Sequence, residues 1–482
     1  MRLSGNLNPG FKGAEKMKGK SVVLGGLVTL LMIGGCAREP VKVGNAPRDA
    51  FEKGSKYPYY GTEDAWDRRF FTEHIRDYTK RRGQRQMLDI VEGRPEEAAR
   101  YCRELLAQDP MDLESLFNLT VAQTAMGDLD SAVTTAGEAM KRGLPSGRFI
   151  AGPRKLLMPL LGQPAFQALL EKYPARELIH GPLLGCVTDR SARFWVRSAR
   201  EVPVQVMVTA SPRLTGAIPS EIRWTRSQDD YTAVLEVRGL EPATTYYYDI
   251  RFHGKSVLKP RYSSFRTFPA AEDPARFRVG FGGGAGFIPA NERVWDVIRG
   301  RKPLAFLFLG DNVYMNMPEP LTGFHYYTYY RRQSRSEFRR LTASTAIYAI
   351  WDDHDCATDD VWMGPYRDKP PWKMDMWRHF KINWNNPGYG DAEWPGCWFR
   401  FNIGDVDFFM LDGRFYRTNP YAPGPTMLGP HQKAWLKEQL KASGAVFKVI
   451  VSPVPWAFDS KPGAVDTWNG FREERDELFD FL

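Results

Sequence analysis

Several apolar runs in the second half of the chain end in carboxylates or glycines, and this constrains the fold more than any other feature. Residues 304–309 run into Gly310-Asp311-Asn312-Val313-Tyr314, and residues 346–351 into Asp352-Asp353-His354-Asp355. Residues 406–411 run into Asp412-Gly413-Arg414. An earlier run, 277–281, ends in Gly282-Gly283-Gly284-Ala285-Gly286, and a later one, 446–451, leads into Ser452-Pro453-Val454-Pro455-Trp456. Short apolar runs of this kind read as strands buried on both faces, and the region reads as α/β. In α/β sheets, ligands gather at the carboxyl ends of strands. One Asp after a strand is ordinarily a cap or a turn residue. Three such ends on successive strands would bring many carboxylates to one rim, where their repulsion is costly without a cation. The pattern predicts a metal centre.

Oxygen donors dominate, because the chain has seven His and only four lie beyond residue 275. Such donors suit Ca²⁺, Mg²⁺, Mn²⁺ or Fe³⁺ better than a structural Zn²⁺. Tyr314 offers a phenolate three residues past Asp311, which fits Fe³⁺. Asp355 is a further candidate ligand. Asp412 either orients Arg414 or reaches a metal. Arg414 could fork onto two phosphate oxygens, or it could form a surface salt bridge. Gly283 and Gly284, with Asn312, are candidate phosphate contacts through backbone or amide N–H groups, a tight turn being the alternative for the glycines. Cys356 and Cys397 read as core fillers. A glycosidase-type carboxylate pair explains neither the Tyr spacing nor the His inside the Asp cluster.

The charge balance is modest: 66 Lys+Arg against 57 Asp+Glu, a net +9 over 482 residues. No block of basic residues is dense enough for a nucleic-acid arm, so no nucleic-acid partner is expected. Five Cys without a C-x-x-C pair exclude a disulfide scaffold and disfavour a zinc ribbon. The front of the chain reads as an address. Lys18 and Lys20 precede an apolar run at 21–33, followed by Gly34-Gly35-Cys36. The run is too short for a comfortable membrane span. Ile33-Gly34-Gly35-Cys36 resembles a bacterial lipobox, which implies lipidation of Cys36, and Met17 is a better start than Met1. Ala37 is not the Asp of inner-membrane retention, so an outer-membrane anchor is expected, with 1–36 as signal and 37–60 as tether. Lipid chains would hold the protein at a bilayer without spanning it.

Residues 61–175 turn helical. Gly93 and Gly127 are 34 residues apart, as are Ala98 and Ala132, and Leu105 and Ala139. That period resembles a tetratricopeptide repeat over about two units, and the region is either a partner-docking surface or an ordinary helical subdomain. Residues 178–270 change character again, with alternation at 192–197, 204–208 and 233–237 between turn residues. Such spacing predicts a β-sandwich. The stretch 239–250, with Leu240, Pro242 and Tyr246-Tyr247-Tyr248, resembles a fibronectin type III module, whose expected role here is a spacer.

Four motifs in order carry a stronger resemblance. They are 306–314 (FLFLGDNVY), 349–355 (AIWDDHD), 410–417 (MLDGRFYR) and 451–456 (VSPVPW). Together they are similar to the PhoD-like alkaline phosphatases, within the calcineurin-like metallophosphoesterases, from about Gly181 onward, with the phosphatase domain at 275–482. The resemblance implies a layered metallophosphoesterase sheet and hydrolysis of phosphate esters. It also implies a bridging Asp311, a metal-binding Tyr314, Asp353 as a ligand, and His354 near the phosphoryl oxygens as stabiliser or proton donor. Ca²⁺ and Fe³⁺ are the ions it implies first. Two departures follow. Many members carry an iron-binding Cys after the first strand, where this chain has Gly282-Gly283-Gly284. The family also completes its site with a Gly-Asp-x-His-type motif near the C-terminus. None follows Trp456 and no His follows His431, so the domain is expected to be incomplete at Leu482. The segment Asp466-Thr467-Trp468-Asn469-Gly470 could still approach the site. Three functional readings result: a lipid-anchored phosphomonoesterase or phosphodiesterase, a metal- or phosphate-binding pseudoenzyme, and a scaffold whose helical region binds a protein partner.

Overall fold

The computed structural model describes residues 83–258, 264–271, 273–315 and 323–482. Cys36, the signal and tether, and residues 61–82 of the helical region lie outside the described residues. Among the described residues no helix is long and apolar enough to cross a membrane.

The first described unit is helical. Helices α1 (Gln84–Val91), α2 (Pro95–Gln108), α3 (Leu113–Ala125) and α4 (Leu129–Lys141) form two successive hairpins, followed by α5 (Gly147–Ala151), α6 (Arg154–Leu161) and α7 (Pro164–Lys172). The 34-residue spacing is the offset between the hairpins. Gly93 and Gly127 occupy equivalent turns at φ 81° and 79°, a conformation glycine adopts without penalty. Ala98 and Ala132 are fully buried where the second helix of each hairpin crosses the first.

The middle unit is all β. Strands β1 (Leu178–Gly185), β2 (Ser191–Ser198) and β6 (Thr232–Arg238) form an antiparallel sheet in the order β1-β2-β6. A second sheet is built on β3 (Pro203–Thr209) and β7 (Thr245–Phe252), with the short β4 (Ile218–Pro219), β5 (Arg223–Trp224), β8 (Lys255–Ser256) and β9 (Ser264–Arg266) at its margins. Alternate residues Val204, Val206 and Val208 of β3 meet Phe194 and Leu235 of the first sheet in one core.

The third unit contains two three-stranded sheets. β10 (Val279–Gly282), β11 (Ala305–Leu309) and β12 (Ala346–Ile350) are parallel, so their carboxyl ends share one rim. β14 (Val406–Met410) lies between β13 (Phe399–Ile403), antiparallel to it, and β15 (Phe447–Val451), parallel to it. The five apolar runs are β10, β11, β12, β14 and β15. β13 is an addition, joined to β14 by a turn in which Gly404 sits at φ 56°.

Continuous hydrophobicity in these strands has a direct cause. Leu307, Tyr348, Phe408 and Met410 face the space between the two sheets, where Tyr348 and Phe401 stack with centroids 3.8 Å apart. Phe306, Phe308 and Ile347 point the other way, into a core shared with α8 (Val294–Gly300), α9 (Gly323–Gln333), α10 (Ser336–Thr342) and the helical unit. Helices α11 (Asp353–Cys356) and α12 (Lys373–Asn383) follow β12. Phe409 and Leu411 pack under α13 (Gly429–Ala442) and α14 (Arg472–Phe481).

The helical unit is docked on α9 rather than tethered. Arg148 grips Glu114 through two bonds of 2.7 and 2.9 Å, and the Tyr327 hydroxyl donates to the same carboxylate at 2.7 Å. Phe117 stacks on Tyr327 at 5.9 Å. A buried ion pair whose remaining lone pairs are occupied is costly to break from one side.

Candidate metal centre

The rim at the ends of β10, β11 and β12 is assembled from three loops. Gly310 leaves β11 at φ 103°, in a place where a side chain would strike Asp352. Asp311 follows at φ 50°, an unusual conformation for a residue with a Cβ. That backbone swings its carboxylate over the start of α11. There, side-chain atoms of Asp311, Asp353 and His354 lie within 4.8 Å of one another. Tyr314 Oη donates to Asp311 Oδ2 at 3.1 Å, and its ring lies 4.4 Å from that of His354. Asp311, Tyr314, Asp353 and His354 therefore converge, although the chain separates the two pairs by some forty residues.

The cluster is electrostatically unbalanced. Burial, then the charges of Asp353, Asp352 and Asp355, push the Asp311 carboxyl far above the usual carboxylate range. Burial also acts against an ionised Asp353, but the neighbouring His354, the Arg414 guanidinium and the N–H of Asp360 outweigh it and hold that carboxyl low. Asp311 Oδ1 is buried with no hydrogen-bond partner. A cation fits such a place, because it would ionise Asp311 and occupy the orphaned oxygen.

A second acidic group adjoins the first. Asp353, Asp360 and Asp466 also bring oxygens within 4.8 Å of one another, so Asp353 belongs to both clusters. Burial and the Asp466 charge push the Asp360 carboxyl up to about 7. His354 Nε2 lies 3.2 Å from Asp359 Oδ1. Asp359 and Asp360 were not expected from the sequence. Their only signal is an Asp pair five residues past the His, at the start of an otherwise unremarkable loop.

The remaining candidates do different work. Asp355 is fully buried. Its Oδ1 accepts from Asn312 N at 3.0 Å and Val313 N at 3.1 Å, and its Oδ2 from Asp352 N at 2.9 Å. It fastens the β11 loop to α11 instead of serving as a ligand. Asp412 accepts from Trp351 Nε1 (2.7 Å), Arg414 N (2.8 Å), Phe415 N (2.9 Å) and Cys397 N (2.7 Å), so it shapes its own turn and belongs to neither acidic cluster. Asn312 points inward, donating to Ile350 O at 2.8 Å and to Asp355, not toward a phosphate.

Arg414 is neither a surface residue nor a free fork. It is fully buried, with Nε on Asp352, Nη1 and Nη2 on the two Asp466 oxygens at 2.7 and 3.0 Å, and a further bond to Val361 O. Its guanidinium is the internal counter-charge of the acidic rim. Gly284 N is spent on Gly310 O at 3.2 Å, and a Cβ at Gly283 would lie 3.0 Å from that same oxygen. The two glycines permit close approach of loops, which is the turn reading. Cys356 and Cys397 are fully buried free thiols, as expected of core fillers.

Beside the rim runs an open cleft of about 540 Å³ between β10 and β15. Asp311, Asp352 and Gly284 line it together with Phe281, Val449, Leu478 and Phe479.

Comparison with known proteins agrees with this architecture. Residues 283–482 match the profile of the PhoD-like phosphatases. Residues 175–270, the β unit, match a domain family of unknown function, DUF7800. No curated protein matches the chain. A solved structure described as that of PhoD superposes with a TM-score of 0.56 at 17% identity, covering 64% of this chain and 69% of the other. A purple acid phosphatase, PPD1, from yellow lupin (Lupinus luteus) seeds gives a TM-score of 0.41 at 12% identity, over 56% and 50% of the two chains. Residues 283–482 thus carry a domain that matches the PhoD-like phosphatases.

Proposed function

We propose that the protein hydrolyses phosphate esters at the rim formed by Asp311, Asp353 and His354, with Tyr314 as a further oxygen donor. The observation that carries this reading is the convergence of those side chains around the unpartnered, charge-starved Asp311 oxygen. A cation bound there would supply charge for the phosphoryl oxygens and lower the pKa of an attacking water. The donors are three oxygen side chains, Asp311, Tyr314 and Asp353, which suits Ca²⁺, Mn²⁺ or Fe³⁺. Asp360 and Asp466 offer a second carboxylate pair that shares Asp353.

The chain's own groups account for the rest. His354 faces the rim with Nε2 held by Asp359 and is placed to give a proton to a departing alkoxide or to donate to a phosphoryl oxygen. Arg414 keeps Asp352, Asp353 and Asp466 ionised and oriented without touching substrate. The cleft beside Asp311 accommodates the ester's leaving group.

Hydrolysis of p-nitrophenyl phosphate and bis-p-nitrophenyl phosphate at alkaline pH, with metal added back to stripped protein, tests the reading and separates monoesterase from diesterase. Turnover that is lost in Asp353→Asn and His354→Ala supports it. Metal binding without turnover of either ester would favour the pseudoenzyme.

The same reading places the protein outside the cytoplasm, lipid-anchored at Cys36, on the strength of the lipobox-like segment and its preceding lysines. Palmitate labelling lost in Cys36→Ala tests this. The scaffold reading has less support, because residues of α3 and α5 are taken up by packing on α9.

A further inference from the structure

The β11 loop that carries Asp311 and Tyr314 is held by its backbone carbonyls. Gly284 N bonds to Gly310 O at 3.2 Å and Ala285 N to Asp311 O at 2.9 Å. Arg332 Nη1 donates to Asn312 O at 2.6 Å, and Nη2 of the same guanidinium is fixed by Glu292 at 3.0 Å. All these donors lie within the phosphatase domain. The carbonyl of Tyr314 is held differently: Gln84 Nε2 donates to it. Gln84 is the first residue of α1, 230 positions earlier in the chain, and outside both matched families.

Gln84 is fully buried and rigidly presented. Asn118 Nδ2 of α3 donates to Gly83 O at 3.2 Å and to Tyr327 Oη at 3.1 Å. Gly83 sits at φ 82°, and a Cβ there would run into the Tyr327 hydroxyl. The start of α1 is thus wedged between α3 and α9, with the Gln84 amide directed at the loop. Fixing the Tyr314 backbone fixes the phenol that lies on Asp311 and against His354.

From this we infer that Gln84 is a positioning residue for the metal centre, and that the helical unit completes the site from within the same chain. The inference rests on the metal reading above. It gives the helical unit a role in catalysis that neither a spacer nor a partner-docking module would have. Outer partners of metal ligands typically change metal affinity or activity by about 10- to 100-fold when removed.

The test uses the full chain, stripped of metal and titrated calorimetrically with MnCl₂. Gln84→Met preserves volume and removes the donor. Its Kd for Mn²⁺ should rise about tenfold or more. Its kcat at limiting Mn²⁺ should fall and be recovered by excess Mn²⁺, with KM for the ester unchanged. Gln84→Asn, polar but one methylene short, should weaken binding in the same direction and stands in if Gln84→Met does not fold. Gln123→Ala, a buried substitution elsewhere in α3, should bind Mn²⁺ as the parent does. Parent-like affinity in both Gln84 variants would overturn the inference. So would an equal loss in Gln123→Ala, which would mean general loosening of the helical unit. Failure of the parent chain itself to bind Mn²⁺ would instead overturn the metal reading on which this rests.

Discussion

Asp355 spends both carboxylate oxygens on backbone N–H groups, whereas Asp353, two residues earlier, turns toward Asp311 and His354. The two substitutions should therefore fail differently. Asp355→Ala leaves three buried donors unpaired at roughly 1–3 kcal/mol each, so a loss of at least about 3 kcal/mol is expected in urea unfolding. Asp353→Asn keeps the shape and removes the charge. Mn²⁺ binding should vanish, with a smaller change in the urea midpoint than Asp355→Ala produces. Arg414→Met should cost about 3–5 kcal/mol, since it strands the Asp352 carboxylate without its counter-charge and leaves Asp466 with Arg417 alone. A native-like urea midpoint would contradict the counter-charge role. That carboxylates would gather at strand tips was legible in the chain. Which of them face the rim was not. That depends on the left-handed backbone at Asp311 and on which N–H groups the neighbouring turn leaves unpaired, and neither follows from residue type.

Among the elements, the strands were the most legible, because burial on both faces writes an unbroken apolar run. β13 was missed because its residues alternate, Phe399 and Phe401 inward and Arg400 and Asn402 less buried, in a stretch with no distinctive end. Helix α12 carries a buried cation that no pattern announces. Lys373 Nζ donates to Met363 O, Gly364 O and Tyr366 O, and lies 4.4 Å over the Phe415 ring, tying down the loop beyond Asp360. Burial pushes its ammonium down to about 7, against the opposing charges of Asp412 and Asp368. Its unfolded value is about 10.4. Between these two values the unfolded chain binds the extra proton, so this lysine makes stability rise with pH, by up to about 1.4 kcal/mol per unit. Below about pH 7 both states are protonated and the slope disappears. Lys373→Met should lose that slope between pH 8 and 10 in urea unfolding, and an unchanged slope would show that the buried amine stays charged.

At the scale of the whole molecule, the helical unit and the phosphatase domain share one apolar core, joined through Phe117, Phe149 and Tyr327 and the Glu114–Arg148 pair. They should unfold together, in a single calorimetric transition, and two resolved transitions would contradict the shared core. The 34-residue period made the hairpins visible in the sequence. The docking was invisible, because Glu114, Arg148 and Tyr327 are ordinary residues until the fold brings them together. The family resemblance, by contrast, was carried by local motifs and extends over residues 283–482.

The central claim is that carboxylates from separate strand ends enclose a shared cation. Anomalous diffraction from crystals of the full chain grown with Mn²⁺ tests it most directly. A peak among Asp311, Asp353 and His354, lost in Asp353→Asn, is the expected result. Ordered Mn²⁺ elsewhere, with that position empty, would contradict it.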